Sequence, residues 1–330
     1  MRKLVSIQTV RAVLPIEEAD AIEVAKILGW SVVIKKGEFQ VGEKVVYAEI
    51  DSLFPEKEEF EFLRKNKFRI RTLKLRGQVS QGICFPLSIL PPGDYEEGQE
   101  VTELIGVTKY EPPIPACLDG EVRGMFPSFM RKPDEDRVQI LQERLTKNNG
   151  RECVYSEKLD GVATSFYLNE DDFGVCSKNL NLIENDKNAY WMMAKKYDVE
   201  RKLRALGRNL SLQGETIGDG IQKNKYKLGR NERRFYLYNI FDIDKYRYLD
   251  YEEFTALAKE LELLTVPFLD ENFILTDNID ELVELSKGYS VINPTTKREG
   301  IVIKEKVAKN DNRFSFKAIN PEFLLKFGDE

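Results

Sequence analysis

The chain has 330 residues, of which 42% are hydrophobic and 32% charged, and a formal net charge of -6. This composition suits a soluble globular protein of about two domains. With no apolar run of about eighteen residues and no signal-peptide pattern in MRKLVSIQTV, it predicts no membrane span and a cytoplasmic location. The absence of histidine excludes a Ser-His-Asp triad, a histidine general base and histidine-ligated zinc, so any chemistry must rest on carboxylates, lysines, arginines and bound ions. Cys84, Cys117, Cys153 and Cys176 form no C-x-x-C pair and read as free thiols.

In chain order, the first hundred or so residues read as short strands separated by turns: Leu4–Val13, Ile22–Leu28, Ser31–Ile34, Lys44–Ile50, Phe68–Leu75 and Gly82–Pro86. Turns are expected at Lys36-Gly37, Val41-Gly42 and Pro91-Pro92-Gly93. Strands at this spacing predict a small β-barrel. Arg69 and Arg71 lie in one phase, Lys74 and Arg76 in the other, which predicts a β-bulge near Thr72. The proline-rich EPPIP at 111–115 marks a linker, giving a barrel domain over 1–110, a linker over 111–120 and a second domain over 121–330.

In the second domain, Pro133 with Asp134, Glu135 and Asp136 predicts a helix start, closed at Asn148-Asn149-Gly150. Further helices are expected over 186–206, from an Asp250…Glu253 capping box with Phe254, Leu257, Leu261 and Leu264 on one face, and over 276–287. Between them lie the apolar strands Cys153–Ser156, Thr164–Leu168, Phe235–Phe241, Gly300–Lys304 and Phe314–Ala318. The fold class is therefore α+β, with antiparallel sheets and flanking helices in the second domain.

Although the chain is acidic overall, residues 64–76 hold seven basic and no acidic residues, and 223–234 hold six basic residues and one acidic. Arg69, Arg71, Lys74 and Arg76 in the first run, and Lys223 and Lys225 in the second, are candidates for contact with a phosphate backbone. A charged strand is also a common way to blunt a sheet edge.

Five short elements follow one another: Lys158-Leu159-Asp160-Gly161, Gly214-Glu215, Tyr238-Asn239-Ile240-Phe241-Asp242, Glu299-Gly300-Ile301-Val302-Ile303-Lys304 and Phe314-Ser315-Phe316-Lys317. Each is weak alone, but together, each at the end of or within an apolar strand, they are far stronger. Lysine is a nucleophile only when neutral, and at neutral pH deprotonation costs on the order of 4–5 kcal/mol. Nearby Glu157, Asp160, Glu215 and Glu299 would raise that cost, whereas a divalent cation on those carboxylates would reverse the local field. Lys304 and Lys317 would act in the same sense and neutralise phosphate charge.

These elements resemble motifs I, III, IIIa, IV and V of the covalent nucleotidyltransferases, the ligases and mRNA-capping enzymes. GETIGDGIQKN at 214–224 is similar to a stretch typical of RNA ligases. SFKAINPEFLLK at 315–326, with a barrel-like first domain, resembles ATP-dependent RNA ligases of the Deinococcus and Naegleria type, which place an OB-like domain before the ligase domain. The resemblance implies that Lys158 carries AMP and that Asp160, Glu215 and Glu299 hold a hydrated Mn2+ or Mg2+. It also implies that Lys304 and Lys317 contact phosphates, that Phe241 and Val302 sandwich adenine, and that the main chain near Glu157 reads the adenine edge. The implied substrates are ATP and an RNA or RNA/DNA duplex with a nick, acted on by a monomer. In motif Ia the family's Ser-Arg-Asn stands here as Ser177-Lys178-Asn179, so a charge remains at Lys178 without the planar fork of arginine. The GPGIQ form common in RNA ligases is Gly218-Asp219-Gly220-Ile221-Gln222.

Two other readings compete. DNA ligases and capping enzymes carry an OB domain after motif V, for which the 13 residues following Lys317 leave no room. A catalytically inert nucleic-acid-binding module would be expected to have lost the lysine or the carboxylates, all of which are present here.

Overall fold

A computed structural model describes residues 3–17, 19–110, 122–309 and 313–328. The proposed linker over 111–120, and Cys117 within it, lie outside the described residues. The chain forms two compact units: Met1–Pro113 with Val138–Glu143 and Pro321–Glu330, and Ile114–Arg137 with Arg144–Asn320. The closing segment, with its helix Pro321–Phe327, thus groups with the first unit.

The strands of the first unit are β1 (Val5–Pro15), β2 (Ile22–Ile27), β3 (Trp30–Lys35), β4 (Lys44–Ala48), β5 (Ser52–Leu53), β6 (Thr72–Leu75), β7 (Gln78–Gln81), β8 (Ile83–Phe85) and β9 (Thr108–Lys109). The main sheet runs β3-β2-β1-β4-β8. β1 serves two neighbours, pairing Val5–Thr9 with β4 and, across an irregularity between Val10 and Ala12, its second half with β2. A bulge bends a strand and increases its twist, and here it lets one strand turn the corner of a nearly closed barrel. The β6–β7 hairpin is tied to β3 where Val33 N–H donates to Ser80 Oγ at 2.9 Å. Inward-facing Val5, Ile7, Ala25, Trp30, Val45 and Tyr47 are buried and form the core.

The expected bulge near Thr72 is absent: Thr72–Leu75 pairs regularly with Gln78–Gln81. Lys67 and Phe68 take positive φ values of 54° and 59°, so the strand begins only at Thr72 and the phase change reflects a bent lead-in.

The second unit contains β10 (Val122–Met125), β11 (Glu152–Lys158), β12 (Val162–Asn169), β13 (Asp172–Cys176), β14 (Leu180–Leu182), β15 (Leu210–Gly218), β16 (Arg233–Asp242), β17 (Arg247–Tyr248), β18 (Phe268–Ile274), β19 (Gly300–Glu305) and β20 (Ser315–Ile319). They form a seven-stranded antiparallel sheet, β10-β14-β13-β12-β15-β16-β17, and a four-stranded one, β18-β11-β19-β20. One face of the larger sheet buries Phe166, Leu210, Leu212 and Leu237 against the helices Ala189–Lys196, Val199–Leu206 and Tyr251–Glu260.

The expected helix over 186–206 is two helices, because Asp198 takes φ 52° between them and breaks the ladder. The Asp250/Glu253 capping box is present and Phe254 and Leu257 are buried, but the helix ends at Glu260 and Leu264 is exposed. The last of these helices spans Ile279–Leu285, starting later than predicted because Asn278 caps it by accepting from Glu281 N–H. The helix predicted from Pro133 begins instead at Gln142. Residues 133–137 lie along β20, where Lys317 N–H donates to Asp136 O at 2.9 Å, and that edge pairing outcompetes helix formation. Among the described residues no helix is long and apolar enough to cross a membrane.

Candidate active site

Strand register builds one wall of the site. Residues directly opposite each other in an antiparallel sheet share a face, and alternate residues return to it. On β11, β19 and β20 the pairings place Ser156, Val302 and Lys317 abreast, with Lys158 opposite Gly300 on one side and Val154, Lys304 and Ser315 on the other. On the larger sheet, Ala163 pairs with Glu215 and Ser165 with Gln213, setting Glu215 on a face of its own strand opposite Thr216. Two glycines of the motifs are required sterically. A Cβ on Gly161 would come within 2.3 Å of Thr216 O, and one on Gly300 within 2.2 Å of Ala318 O.

Lys158 ends β11, and its Nζ donates to both carboxylate oxygens of Glu299 at 2.7 Å. Gly161 N–H donates to Glu215 Oε1 at 3.0 Å, which draws the K-x-D-G turn onto β15. Burial alone would lower the Lys158 pKa, but Glu299, Glu215 and Asp160 outweigh it and raise the value above that of an ordinary lysine. Burial first, then repulsion from Glu299 and Asp160, pushes Glu215 up to about 8. Asp160 rises to about 6 through burial and Glu299, against the pull of Lys225 and Lys158. The charges of Glu299, Glu215 and Asp160 thus all reach Lys158, and in this state they favour the ammonium form.

Lys317 lies beside this group. Its Nζ is 3.5 Å from Asp134 Oδ1, and burial, together with the charges of Arg137, Lys158 and Lys178, lowers its pKa to about 8. Lys178 is exposed, yet its charge reaches Lys317. Val302 is half-buried on the shared face.

Lys304 stands apart from Lys158. It pairs with Val154, four residues along β11 from Lys158, or roughly 13 Å at strand rise. Its Nζ donates to Tyr238 O at 2.5 Å and Asn239 Oδ1 at 2.8 Å, and burial beside Arg313 lowers its pKa to about 7. It lines a small pocket with Ser156, Tyr238 and Phe268, and none of Lys158, Asp160, Glu215, Glu299 and Lys317 lines that pocket.

Two further predictions need correcting. Phe241 is completely buried among Phe126, Met130, Tyr167 and Cys176, so it packs the core and presents no face to a base. An irregularity in the β15–β16 register between Gln213 and Gly214 leaves Tyr238 unpaired, and it is Tyr238 that lines the pocket beside Lys304. The amide N–H of Glu157 already donates to Pro267 O at 2.8 Å, and its side chain, on the opposite face from Lys158, accepts from Val291 N–H.

The basic candidates also divide. Arg69 is buried, donates to Asp51 Oδ1 at 2.8 Å and stacks 3.8 Å over Tyr110, so it is structural. Arg71 is half-buried, and Lys74, Arg76 and Lys223 are exposed. Lys225 is buried with its Nζ on Asp160 Oδ2 and so belongs to the active site. No periodicity in the run 223–234 marks it out, because its neighbours sit in left-handed backbone.

The carboxylates were also expected to hold a metal. Among the described residues no three acidic side chains converge on one point. Lys158 occupies Glu299 and Lys225 occupies Asp160. The donor set is nevertheless all oxygen, and burial and mutual repulsion hold Glu215 and Asp160 at raised pKa values, so a hard divalent cation is the group that would relieve their repulsion.

This architecture, a small barrel unit and two antiparallel sheets flanking a lysine–carboxylate cleft, is that of an OB-fold domain joined to a ligase domain. An OB-fold domain family matches residues 4–87 and the RNA ligase family matches residues 151–319. Solved structures agree. The Naegleria gruberi RNA ligase with PPi is 40% identical, with a TM-score of 0.92 over 100% of both chains. An apo mutant of that enzyme gives 40% and 0.92 over 100% of this chain and 99% of its own, and a mutant with AMP and Mn gives 40% and 0.92 over 100% of both. A search of curated proteins found no match. The chain belongs to the RNA ligase family.

Proposed function

We propose that this chain is an ATP-dependent RNA ligase that joins a 3′-hydroxyl to a 5′-phosphate at nicks in duplexes, through AMP carried on Lys158. The observation that carries this reading is Lys158 Nζ held at 2.7 Å by Glu299, with Glu215, Asp160 and Lys317 within electrostatic reach. The related Naegleria enzyme has been solved with ATP and Mn and with AMP and Mn, which supports the choice of nucleotide and ion.

In the first step the Lys158 amine, having lost its proton, forms a bond to the α-phosphorus of ATP while the bond to pyrophosphate breaks. A 5′-phosphate oxygen then takes the adenylyl group from lysine. Last, the 3′-oxygen attacks the activated 5′-phosphate, AMP departs and the hydroxyl proton is released. Each transfer depends on in-line positioning and charge neutralisation more than on acid–base groups, so a protein without histidine is equipped for it.

Asp160, Glu215 and Glu299 would hold a hydrated Mn2+ or Mg2+, which supplies positive charge that favours the neutral amine and screens the phosphates. Lys317, which feels the charge of Lys158, would meet the α-phosphate. Lys304 would contact the ATP phosphates farther along β11 from Lys158. Tyr238, half-buried beside Lys304, would take the place of Phe241 as the aromatic surface for the base. Exposed Lys74, Arg76 and Lys223 would track a nucleic-acid backbone. The OB-fold unit is taken as one domain and the ligase unit as the other, with the boundary within 111–120.

The test is transfer of label from α-labelled ATP to the protein. Wild type becomes labelled in the presence of Mn2+ or Mg2+, and Lys158→Ala does not. Labelling retained by Lys158→Ala refutes the assignment.

A further inference from the structure

The turn that follows the nucleophile is gripped by one short segment that the ligase motifs do not assign. Gln222 Nε2 donates to Gly161 O at 3.4 Å, the Lys225 ammonium pairs with Asp160 Oδ2, and Asp160 N–H donates to Tyr226 OH at 2.7 Å. Asp160 and Gly161 take all three of these contacts. The segment adopts an uncommon backbone to do so. Gln222, Lys223 and Asn224 all have positive φ (44°, 56° and 49°), as does Lys227 (53°), a region that residues with side chains rarely occupy unless their surroundings enforce it.

The surroundings here are a second loop. Thr296 Oγ1 donates to Lys225 O at 2.8 Å, Asn293 Nδ2 donates to Tyr226 O at 3.1 Å, and Lys227 Nζ donates to Thr295 Oγ1 at 3.1 Å. That loop is fixed in turn where Val291 N–H donates to Glu157, the residue before the nucleophile. Both sides of Lys158 in the sequence are therefore anchored to the same pair of loops. The Lys225 side chain is 4% exposed, so its charge faces inward, unlike that of Lys223 next to it in the basic run.

We infer that Lys225 and Tyr226 are positioning residues for Lys158 adenylylation, acting through Asp160 by fixing its carboxylate and its backbone. This inference rests on the ligase reading above. A carboxylate that swings away from its working orientation leaves nucleotide affinity largely in place and slows the chemical step, because misplacement of about 1 Å in a preorganised site costs up to about 100-fold.

The experiment measures single-turnover labelling from α-labelled ATP in saturating Mn2+ for wild type, Lys225→Met, Lys225→Arg and Tyr226→Phe, with melting temperatures taken in parallel. Lys225→Met is expected to slow labelling by about 10- to 100-fold with the ATP concentration for half-maximal rate changed less than about threefold. Lys225→Arg is expected to recover part of the rate, and Tyr226→Phe to lose about three- to tenfold. A wild-type rate in Lys225→Met overturns the inference, and so does a loss confined to ATP affinity. Should Lys225→Met fail to fold, Tyr226→Phe decides: an unchanged rate there overturns it. If wild type itself takes no label, it is the ligase reading that fails.

Discussion

Raising the pH should tighten metal binding more steeply than an ordinary carboxylate site allows, and Glu215 is the reason. Burial and the neighbouring Glu299 and Asp160 raise its pKa to about 8, so below that pH it carries a proton that a metal must displace. The ionised fraction rises from ~3% at pH 6.5 to ~50% at pH 8, about a 15-fold gain in the metal-competent form. Asp160, at about 6, is mostly ionised across this window and adds little. The sign is fixed by the direction of the shift: a raised carboxylate pKa moves the gain to higher pH, and it levels off above about 8. The assay is protein adenylylation across a Mn2+ titration at several pH values. The half-saturating metal concentration is the readout rather than the rate, since deprotonation of Lys158 raises the rate with pH independently. Glu215→Gln should weaken metal binding and flatten its pH dependence. A wild-type half-saturation that stays constant from pH 6.5 to 8 would refute the reasoning.

Other outcomes follow from the placements described above. Phe241→Ala should cost about 3–5 kcal/mol of stability in denaturant unfolding, as a core truncation, whereas Tyr238→Ala, at a half-buried site, should cost less and raise the KM for ATP. Arg69→Ala should destabilise the first unit by about 3 kcal/mol because Asp51 loses its buried partner, while Lys74→Ala and Arg76→Ala should leave the melting temperature alone and each reduce the salt dependence of RNA binding by about one unit of log–log slope. Nicked duplexes with ribonucleotides at the 3′-hydroxyl end should be sealed well and all-DNA nicks poorly; equal sealing of both contradicts the substrate assignment.

The barrel, the two antiparallel sheets and the principal lysine–carboxylate group were legible because each rests on a local signal: alternating apolar strands, glycines between them, and charged residues at strand ends. What was not legible depends on register and on competition between segments. Phe241 and Tyr238 lie in the same five-residue motif, and only the irregularity between Gln213 and Gly214 decides which one lines the pocket beside Lys304. Residues 133–137 carry a sound helix-start signal, yet their backbone is claimed by the edge of β20, a partner nearly two hundred residues away in the chain. Arg69 and Lys225 resemble their neighbours in composition, and their burial follows from backbone turns at Lys67-Phe68 and Gln222–Asn224 that the sequence does not announce. Lys304 follows its motif, and its register sets it beside Tyr238 and Asn239, four residues along β11 from Lys158.

Covalent modification of the Lys158 amine is the step on which the proposed ligase activity depends. Incubating the protein with ATP and Mn2+, digesting it and sequencing the adduct by mass spectrometry addresses this directly. One adenylyl group on the peptide containing Lys158, absent without the metal, is the predicted result. No adduct, or an adduct on Lys225, Lys304 or Lys317 instead, would contradict it.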